Sequence, residues 1–159
     1  MKKVLLTATL VAIFAFTSNA QEAGDMSINA GVGIATGPFG GDDSFTGFGG
    51  GFEYVFADAM SGTVEYYSYS KDGLTASALG VDFKYYFMTD DFKVFGKAGL
   101  TSLGADVEST VGLNVGAGAI YALSDQFGLG AGLDYNLAKP DGADDPFGVI
   151  IKFGISYKF

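Results

Sequence analysis

The sequence contains no cysteine and no histidine among its 159 residues. Without cysteine there is no disulfide, no thiolate nucleophile and no thiolate metal ligand. Without histidine, the side chain most often used as a general base and as a transition-metal ligand is also missing. These two absences exclude most catalytic and metal-dependent sites, and we expect neither enzymatic activity nor a cofactor.

Basic residues are also scarce. Nine lysines face 18 acidic residues, arginine is absent, and the formal net charge is −9. Proteins that bind nucleic acid need a basic face that displaces counterions from phosphates. The composition therefore predicts no nucleic-acid partner.

Long apolar runs are absent after residue 20. Before it, Lys2 and Lys3 precede an apolar stretch over residues 4–16, and small or polar residues follow up to Ala20. This three-part layout is typical of a secretory signal peptide. An N-terminal anchor is the alternative, but the stretch is shorter than the ~20 residues that a membrane-spanning helix needs. We predict a signal peptide over residues 1–20 and one domain over residues 21–159.

Helical periodicity is missing, and the 25 glycines would each weaken a helix by about 1 kcal/mol relative to alanine. Alternation with a period of two, which is typical of strands, recurs instead. It covers eight segments: residues 27–35, 45–56, 62–70, 76–88, 92–102, 111–123, 127–137 and 147–159. In residues 62–70 and 92–102 aromatic side chains occur on both faces, and we assign Val64 and Val94 to the apolar face.

The connections between these segments differ in kind. Links at residues 56–60, 88–92 and 123–127 are short and contain aspartate, whereas those at 36–44, 71–75, 103–110 and 138–146 are acidic or rich in glycine and proline. Strands joined in this order by three tight turns and four longer loops are typical of an up-and-down barrel. We therefore predict an all-β, eight-stranded antiparallel up-and-down barrel.

The charged residues indicate which face of the strands points outward. Those near the strand middles all share the glycine-rich face: Glu53, Glu65, Asp82, Lys84, Lys97, Asp134 and Lys152. Small residues suit the narrow interior of an eight-stranded barrel, and apolar residues suit lipid. We therefore predict a transmembrane barrel whose interior holds these charges, with Asn114, Asn136 and inward tyrosines, as an ion-pair and hydrogen-bond network.

Other interpretations of this pattern stay open. The interior could form a small passive, cation-preferring pore, or the chain could be a soluble periplasmic ligand-binding barrel. Glu53 and Glu65 could in principle form a catalytic carboxylate pair, but the nearby lysines favour ion pairing. Gly47, Gly49 and Gly51 have the spacing of a phosphate-binding loop, yet no helical pattern follows them, so we interpret them as part of a strand.

The final segment alternates in a way that points to a family. Its apolar face consists of Ile151, Phe153, Ile155, Tyr157 and Phe159, and aromatic residues also collect beside the short turns. Together these features resemble the small outer-membrane β-barrel proteins of diderm bacteria, of the OmpA-transmembrane-domain and OmpX type. The resemblance implies that this segment is read by the outer-membrane assembly machinery and that the last strand pairs with the first. It also implies a monomer in the cell outer membrane, in contact with lipid and lipopolysaccharide.

The predicted loops at the other end are acidic. The simpler interpretation is that these acidic residues form a solvated rim. A sharper hypothesis is that Asp141, Asp144 and Asp145 bind Ca²⁺ or Mg²⁺ and bridge to lipopolysaccharide phosphates, although their spacing fits no established calcium loop.

Overall fold

The computed structural model describes residues 22–36, 44–105, 108–138 and 148–159. Every regular element within these ranges is a strand. The described residues contain no helix that is long and apolar enough to cross a membrane. The strands are β1 (Met26–Thr36), β2 (Ser44–Ala57), β3 (Met60–Lys71), β4 (Leu74–Thr89), β5 (Phe92–Ala105), β6 (Glu108–Ala122), β7 (Phe127–Asn136) and β8 (Val149–Lys158).

Each strand pairs antiparallel with the next in sequence, and β8 pairs antiparallel with β1 to close a barrel. At the closing seam Ala30 lies opposite Ile155, and Val32 lies opposite Phe153. Closure leaves no unpaired strand edge, which a β-structure in hydrocarbon requires. The predicted eight-stranded antiparallel up-and-down barrel is confirmed.

Two connections are shorter than the sequence indicated. β3 ends at Lys71 and β4 begins at Leu74, so Asp72 and Gly73 alone form the turn, with φ angles of 49° and 84°. Two successive positive φ angles define the hairpin turn that Asp-Gly pairs favour. Only residues 106–107 separate β5 from β6. The prediction of longer loops at residues 71–75 and 103–110 is therefore wrong.

The two faces of the barrel wall differ as the alternation predicts. The outward face is exposed and apolar, with Val32, Phe48, Val81, Leu113 and Phe153 among its members. Large apolar side chains are exposed along all eight strands, so this face suits hydrocarbon rather than water. The alternative of a soluble periplasmic barrel is therefore wrong.

The two segments with aromatics on both faces also follow the predicted phase. In β3, Glu65 and Tyr67 are buried while Val64 and Tyr66 are exposed. In β5, Lys97 is buried and Leu100 is exposed. The inward tyrosine therefore fills the barrel interior, as a narrow barrel allows.

Aromatic side chains gather at the end of the barrel that carries the short turns, here called the turn end. Six of them are exposed large side chains: Tyr54, Phe56, Phe92, Tyr121, Phe127 and Phe159. Tyr157 joins this group, with its ring centroid 5.0 Å from that of Phe127 and 6.0 Å from that of Phe159. A belt of this kind marks a membrane–water interface.

The strands are staggered around the barrel. A row of paired residues that starts at Val55 on β2 and passes through β3 to β8 reaches β1 at Ala35. Val55 adjoins Tyr54, whose partner on β1 is Met26, so the row arrives far along β1 from the place where it began. The row runs through Val55, Ser61, Lys84, Lys97, Gly116, Asp134, Ile150 and Ala35. Stagger is required for barrel closure. Here it sets polar residues from four strands side by side.

Candidate functional site in the barrel interior

The first polar group, here called the Glu53 cluster, lies nearer the turn end. The carboxylate of Glu53 accepts hydrogen bonds from the Ser61 hydroxyl at 2.5 Å and the Tyr86 hydroxyl at 2.6 Å. Its other oxygen lies 3.0 Å from the ammonium nitrogen of Lys84. That nitrogen also lies 4.8 Å from the centre of the Phe95 ring, a cation–π contact. The buried carboxylate is therefore fully compensated.

The second group, here called the Lys97 cluster, fills the middle of the barrel. It contains Glu65, Asp82, Lys97, Asn114, Asp134 and Lys152. The ammonium nitrogen of Lys97 lies 3.1 Å from Glu65, 3.0 Å from Asp82 and 3.0 Å from Asp134. A lysine has three N–H donors, so these three carboxylates use them all.

Lys152 of β8 links two of the same carboxylates. Its ammonium nitrogen lies 2.8 Å from Glu65 and 2.7 Å from Asp134. It also lies 4.5 Å from the centre of the Tyr67 ring. Asn114 donates to the remaining oxygen of Asp82 at 2.9 Å. Strands β3 to β8 are thereby tied together across the interior.

The two clusters are separate because two neighbouring lysines bind different carboxylates. Lys84 and Lys97 are directly opposite each other on β4 and β5, an arrangement of like charges that is unfavourable unless each finds its own partners. Lys84 binds Glu53, whereas Lys97 binds the three central carboxylates. The opposed lysines therefore divide the interior into two levels.

The residues that the sequence assigned to the interior all lie there. The structure brings all eight residues predicted for the interior network into the two clusters: Glu53, Glu65, Asp82, Lys84, Lys97, Asn114, Asp134 and Lys152. Glu53 and Glu65 bind different lysines and do not act as a carboxylate pair. Ser61 was missed, although its position on the inner face was the available signal.

Metal sites are not supported by the part of the chain that the structure describes. Within those ranges no three acidic side chains are arranged to hold a metal ion. Asp141, Asp144 and Asp145 lie outside the described residues. The hypothesis of a Ca²⁺ or Mg²⁺ site there stays a prediction.

An apolar group closes the interior at the opposite end of the barrel, here called the loop end. This loop-end plug consists of Ala35, Phe45, Tyr67, Tyr69, Ala76, Ala78, Leu103, Ala138 and Ile150, all buried. The rings of Tyr67 and Tyr69 stack with centroids 6.0 Å apart. Sequence reasoning anticipated inward tyrosines but missed Phe45, Leu103 and Ile150, whose bulk on the inner parity was the signal.

Glycines on β1 and β2 make room for the two tyrosines. A Cβ at Gly33 would lie 3.0 Å from the Tyr69 ring, and one at Gly47 would lie 2.6 Å from it. A Cβ at Gly49 would lie 2.6 Å from Cγ of Tyr67 and would also meet the backbone carbonyl of Tyr66. The spaced glycines therefore form a floor on which the aromatic rings lie.

Replacing Gly49 by alanine tests this packing. We expect Gly49→Ala to destabilise the barrel by about 1–3 kcal/mol, since the added methyl group meets backbone and ring atoms that cannot both yield. Gly132→Ala is the matched control, because its Cβ would meet only the Ala117 carbonyl oxygen at 3.7 Å. Urea unfolding midpoints of the two variants measure the difference. Equal midpoints would refute the role of the glycine floor.

The interior is open toward the turn end. A vestibule of about 470 Å³ is lined there by charged side chains that include Asp25, Glu53, Lys93 and Lys158. An inner cavity of about 80 Å³ shares Glu53 with the vestibule and continues to the Lys97 cluster. The polar groups of the described residues therefore face water from the turn end, since the loop-end plug occupies the other end.

A closed antiparallel barrel with an apolar outer wall, an aromatic belt and a charged interior defines a transmembrane β-barrel. Residues 5–159 match the family model described as the outer membrane protein beta-barrel domain, and the chain belongs to this family. No curated protein sequence matches the chain significantly.

Solved structures share the fold. The N-terminal β-barrel domain of Pseudomonas aeruginosa OprF is 19% identical with a TM-score of 0.70, covering 87% of this chain and 100% of that domain. Neisserial surface protein A is 20% identical with a TM-score of 0.70, covering 89% and 100%. The attachment invasion locus protein Ail of Yersinia pestis is 18% identical with a TM-score of 0.62, covering 87% and 100%. At these identities the likeness establishes the fold.

Proposed function

We propose that this protein is an integral outer-membrane barrel of a diderm bacterium with a structural or surface-interaction role, and that it neither conducts ions freely nor catalyses a reaction. The observation that carries the proposal is the blocked interior. The Glu53 cluster lies near the turn end, the Lys97 cluster lies across the middle of the barrel, and the loop-end plug lies beyond it.

The plug argues against a passive pore. An ion that entered from the vestibule would have to break the contacts of Lys97 and then cross a buried apolar layer. Removing an ion from water into apolar surroundings is strongly unfavourable unless it is paired. The cation-preferring pore is therefore the less favoured function.

The interior chemistry argues against catalysis. A general acid or base must be able to exchange its proton with a substrate. The acids of both clusters are instead bound to lysines, and the whole sequence offers no histidine or cysteine. We therefore propose no enzymatic activity and no cofactor.

We further propose that residues 1–20 direct export and that residues 21–159 are the mature barrel. Membership of an outer-membrane family and the apolar outer wall support a location in the outer membrane, against lipid and lipopolysaccharide. A barrel whose strands are all paired within one chain needs no second copy, which supports a monomer.

A surface-interaction role draws support from the names of two structural neighbours. One is a surface protein of Neisseria and another is an attachment invasion locus protein, which has also been solved in complex with the heparin analogue sucrose octasulfate. The net charge of −9 in this chain disfavours a polysulfated ligand. A neutral or basic surface partner is the better match.

Planar-bilayer recordings of the purified protein test the proposal. We expect currents at the noise level across the voltage range, because the loop-end plug closes the interior. Steady cation-selective steps would contradict the proposal and assign the protein to the passive pores.

The assembly role of the last strand leads to a separate prediction. Phe159 lies in the aromatic belt, and its backbone N–H donates to the carbonyl of Met26 at 3.1 Å. We expect deletion of Phe159 to reduce the amount reaching the outer membrane while changing the unfolding midpoint little. The control is Phe92→Ala, which removes another exposed belt ring. Normal amounts of the truncated chain in the outer membrane would refute an assembly signal.

A further inference from the structure

A small cavity lies between the Lys97 cluster and the loop-end plug. Its volume is about 10 Å³, close to the least that one water molecule or an ion of similar size needs. Its polar lining consists of Glu65, Tyr67, Asp82, Thr101, Asn114, Asp134, Asn136 and Lys152. Oxygen acceptors therefore outnumber donors around the cavity.

Two of these acceptors have no partner among the residues that the structure describes. The side-chain oxygens of Asn114 and Asn136 are unpaired, in residues that are only 3% and 1% exposed. Neighbouring ammonium groups cannot supply the missing donors, because Lys97 holds three carboxylates and Lys152 holds two and faces the Tyr67 ring. An unpaired buried polar atom costs about 1–3 kcal/mol. Among the described residues, the two amide oxygens therefore lack a donor.

The charge around the cavity is also unbalanced. The Lys97 cluster holds three carboxylates, from Glu65, Asp82 and Asp134, against two ammonium groups. One negative charge is left over beneath an apolar plug, where an uncompensated charge is costly. A water molecule would serve the amide oxygens but leave this charge. A small cation meets both deficits.

We propose that this cavity binds one monovalent cation of about the size of Na⁺, through the amide oxygens of Asn114 and Asn136 and in the field of the surrounding carboxylates. A divalent ion is the poorer match, because the carboxylates around the cavity already bind Lys97 and Lys152, and no group of three acidic side chains among the described residues is arranged to hold a metal ion. The bound cation joins β6 and β7 to the central ion pairs and so stabilises the closed barrel.

Unfolding of the purified protein in a non-ionic detergent tests the proposal, with NaCl replaced stepwise by choline chloride at constant ionic strength. Choline is too large for the cavity, so we expect the urea midpoint to fall in a saturable way as Na⁺ is withdrawn. At ten times the dissociation constant, bound Na⁺ lowers the unfolding equilibrium constant by about tenfold. Identical curves in the two salts would overturn the proposal and leave water as the occupant.

Three variants locate the effect. Asn136→Ala removes one amide oxygen, and Asp82→Asn removes the excess charge, so the Na⁺ dependence should disappear in both. Asn29→Ala is the matched control, since Asn29 also points inward but lines the 80 Å³ cavity instead. Retention of Na⁺ dependence in both cavity variants, or its loss in the control, would refute the assignment. The comparison of salts on the unaltered protein decides the question even where a variant fails to fold.

Discussion

Replacing Lys97 by methionine is expected to cost about 3–5 kcal/mol of stability, which is the usual effect of removing one partner from a buried ion pair. Lys97 is 7% exposed, and its ammonium group holds three carboxylates. Without it, Asp82 keeps only the amide of Asn114, while Glu65 and Asp134 share Lys152. Methionine preserves most of the side-chain volume, so the loss reflects charge rather than packing.

The control for this experiment is Lys158→Met. Lys158 lies 2.6 Å from Asp25, but 40% of its side chain is exposed. Exposed pairs of this kind contribute about 0–1 kcal/mol. The difference in gel mobility between boiled and unboiled samples reports the folded fraction at each urea concentration. The resulting urea midpoints give both values. Equal losses in the two variants would contradict a central role for Lys97.

A second substitution with a large effect is Lys97→Met combined with Asp82→Asn. Because the second change removes one of the uncompensated carboxylates, we expect part of the lost stability to return. This variant also keeps the prediction testable if the single substitution prevents folding. A double variant less stable than Lys97→Met would count against charge balance as the cause.

Placing a lysine on the outer wall is expected to cost about 2–4 kcal/mol at the bilayer midplane. Val81 is the position of choice, because it lies near the middle of β4, is 57% exposed and pairs with Val64 and Leu100. In Val81→Lys the ammonium group faces hydrocarbon unless the side chain bends to an interface. Refolding into lipid vesicles, followed by urea titration, measures the cost.

Val111→Lys is the control for depth. Val111 is 65% exposed and lies on the same outward face, near the loop end of β6. There a lysine costs about 0–1 kcal/mol, because its charge reaches the interface. If the two lysines cost the same, the outer wall does not cross a bilayer in the orientation inferred from the aromatic belt.

The alternation of residue types in the sequence indicates which side chains are buried, but it does not indicate how far the backbones of neighbouring strands pair. It located all eight strands because each residue faces either the apolar outside or the narrow interior. It failed at residues 71–75 and 103–110, where β3 pairs with β4 as far as Lys71 opposite Leu74 and β5 pairs with β6 as far as Ala105 opposite Glu108. Contact with lipid does not impose an alternation of apolar and polar side chains in these segments, whereas the backbone hydrogen bonds between the strands continue.

The sequence by itself determined the number of strands, the face that each residue occupies and the set of charges inside the barrel, since a period of two and the exclusion of charge from hydrocarbon are local constraints. Only the tertiary structure decided which acid binds which lysine. The stagger of the closed barrel brings Lys84 opposite Lys97 and places Lys152 of β8 within reach of Glu65 of β3. These residues are far apart in the chain, and no local pattern encodes the register at which eight strands close.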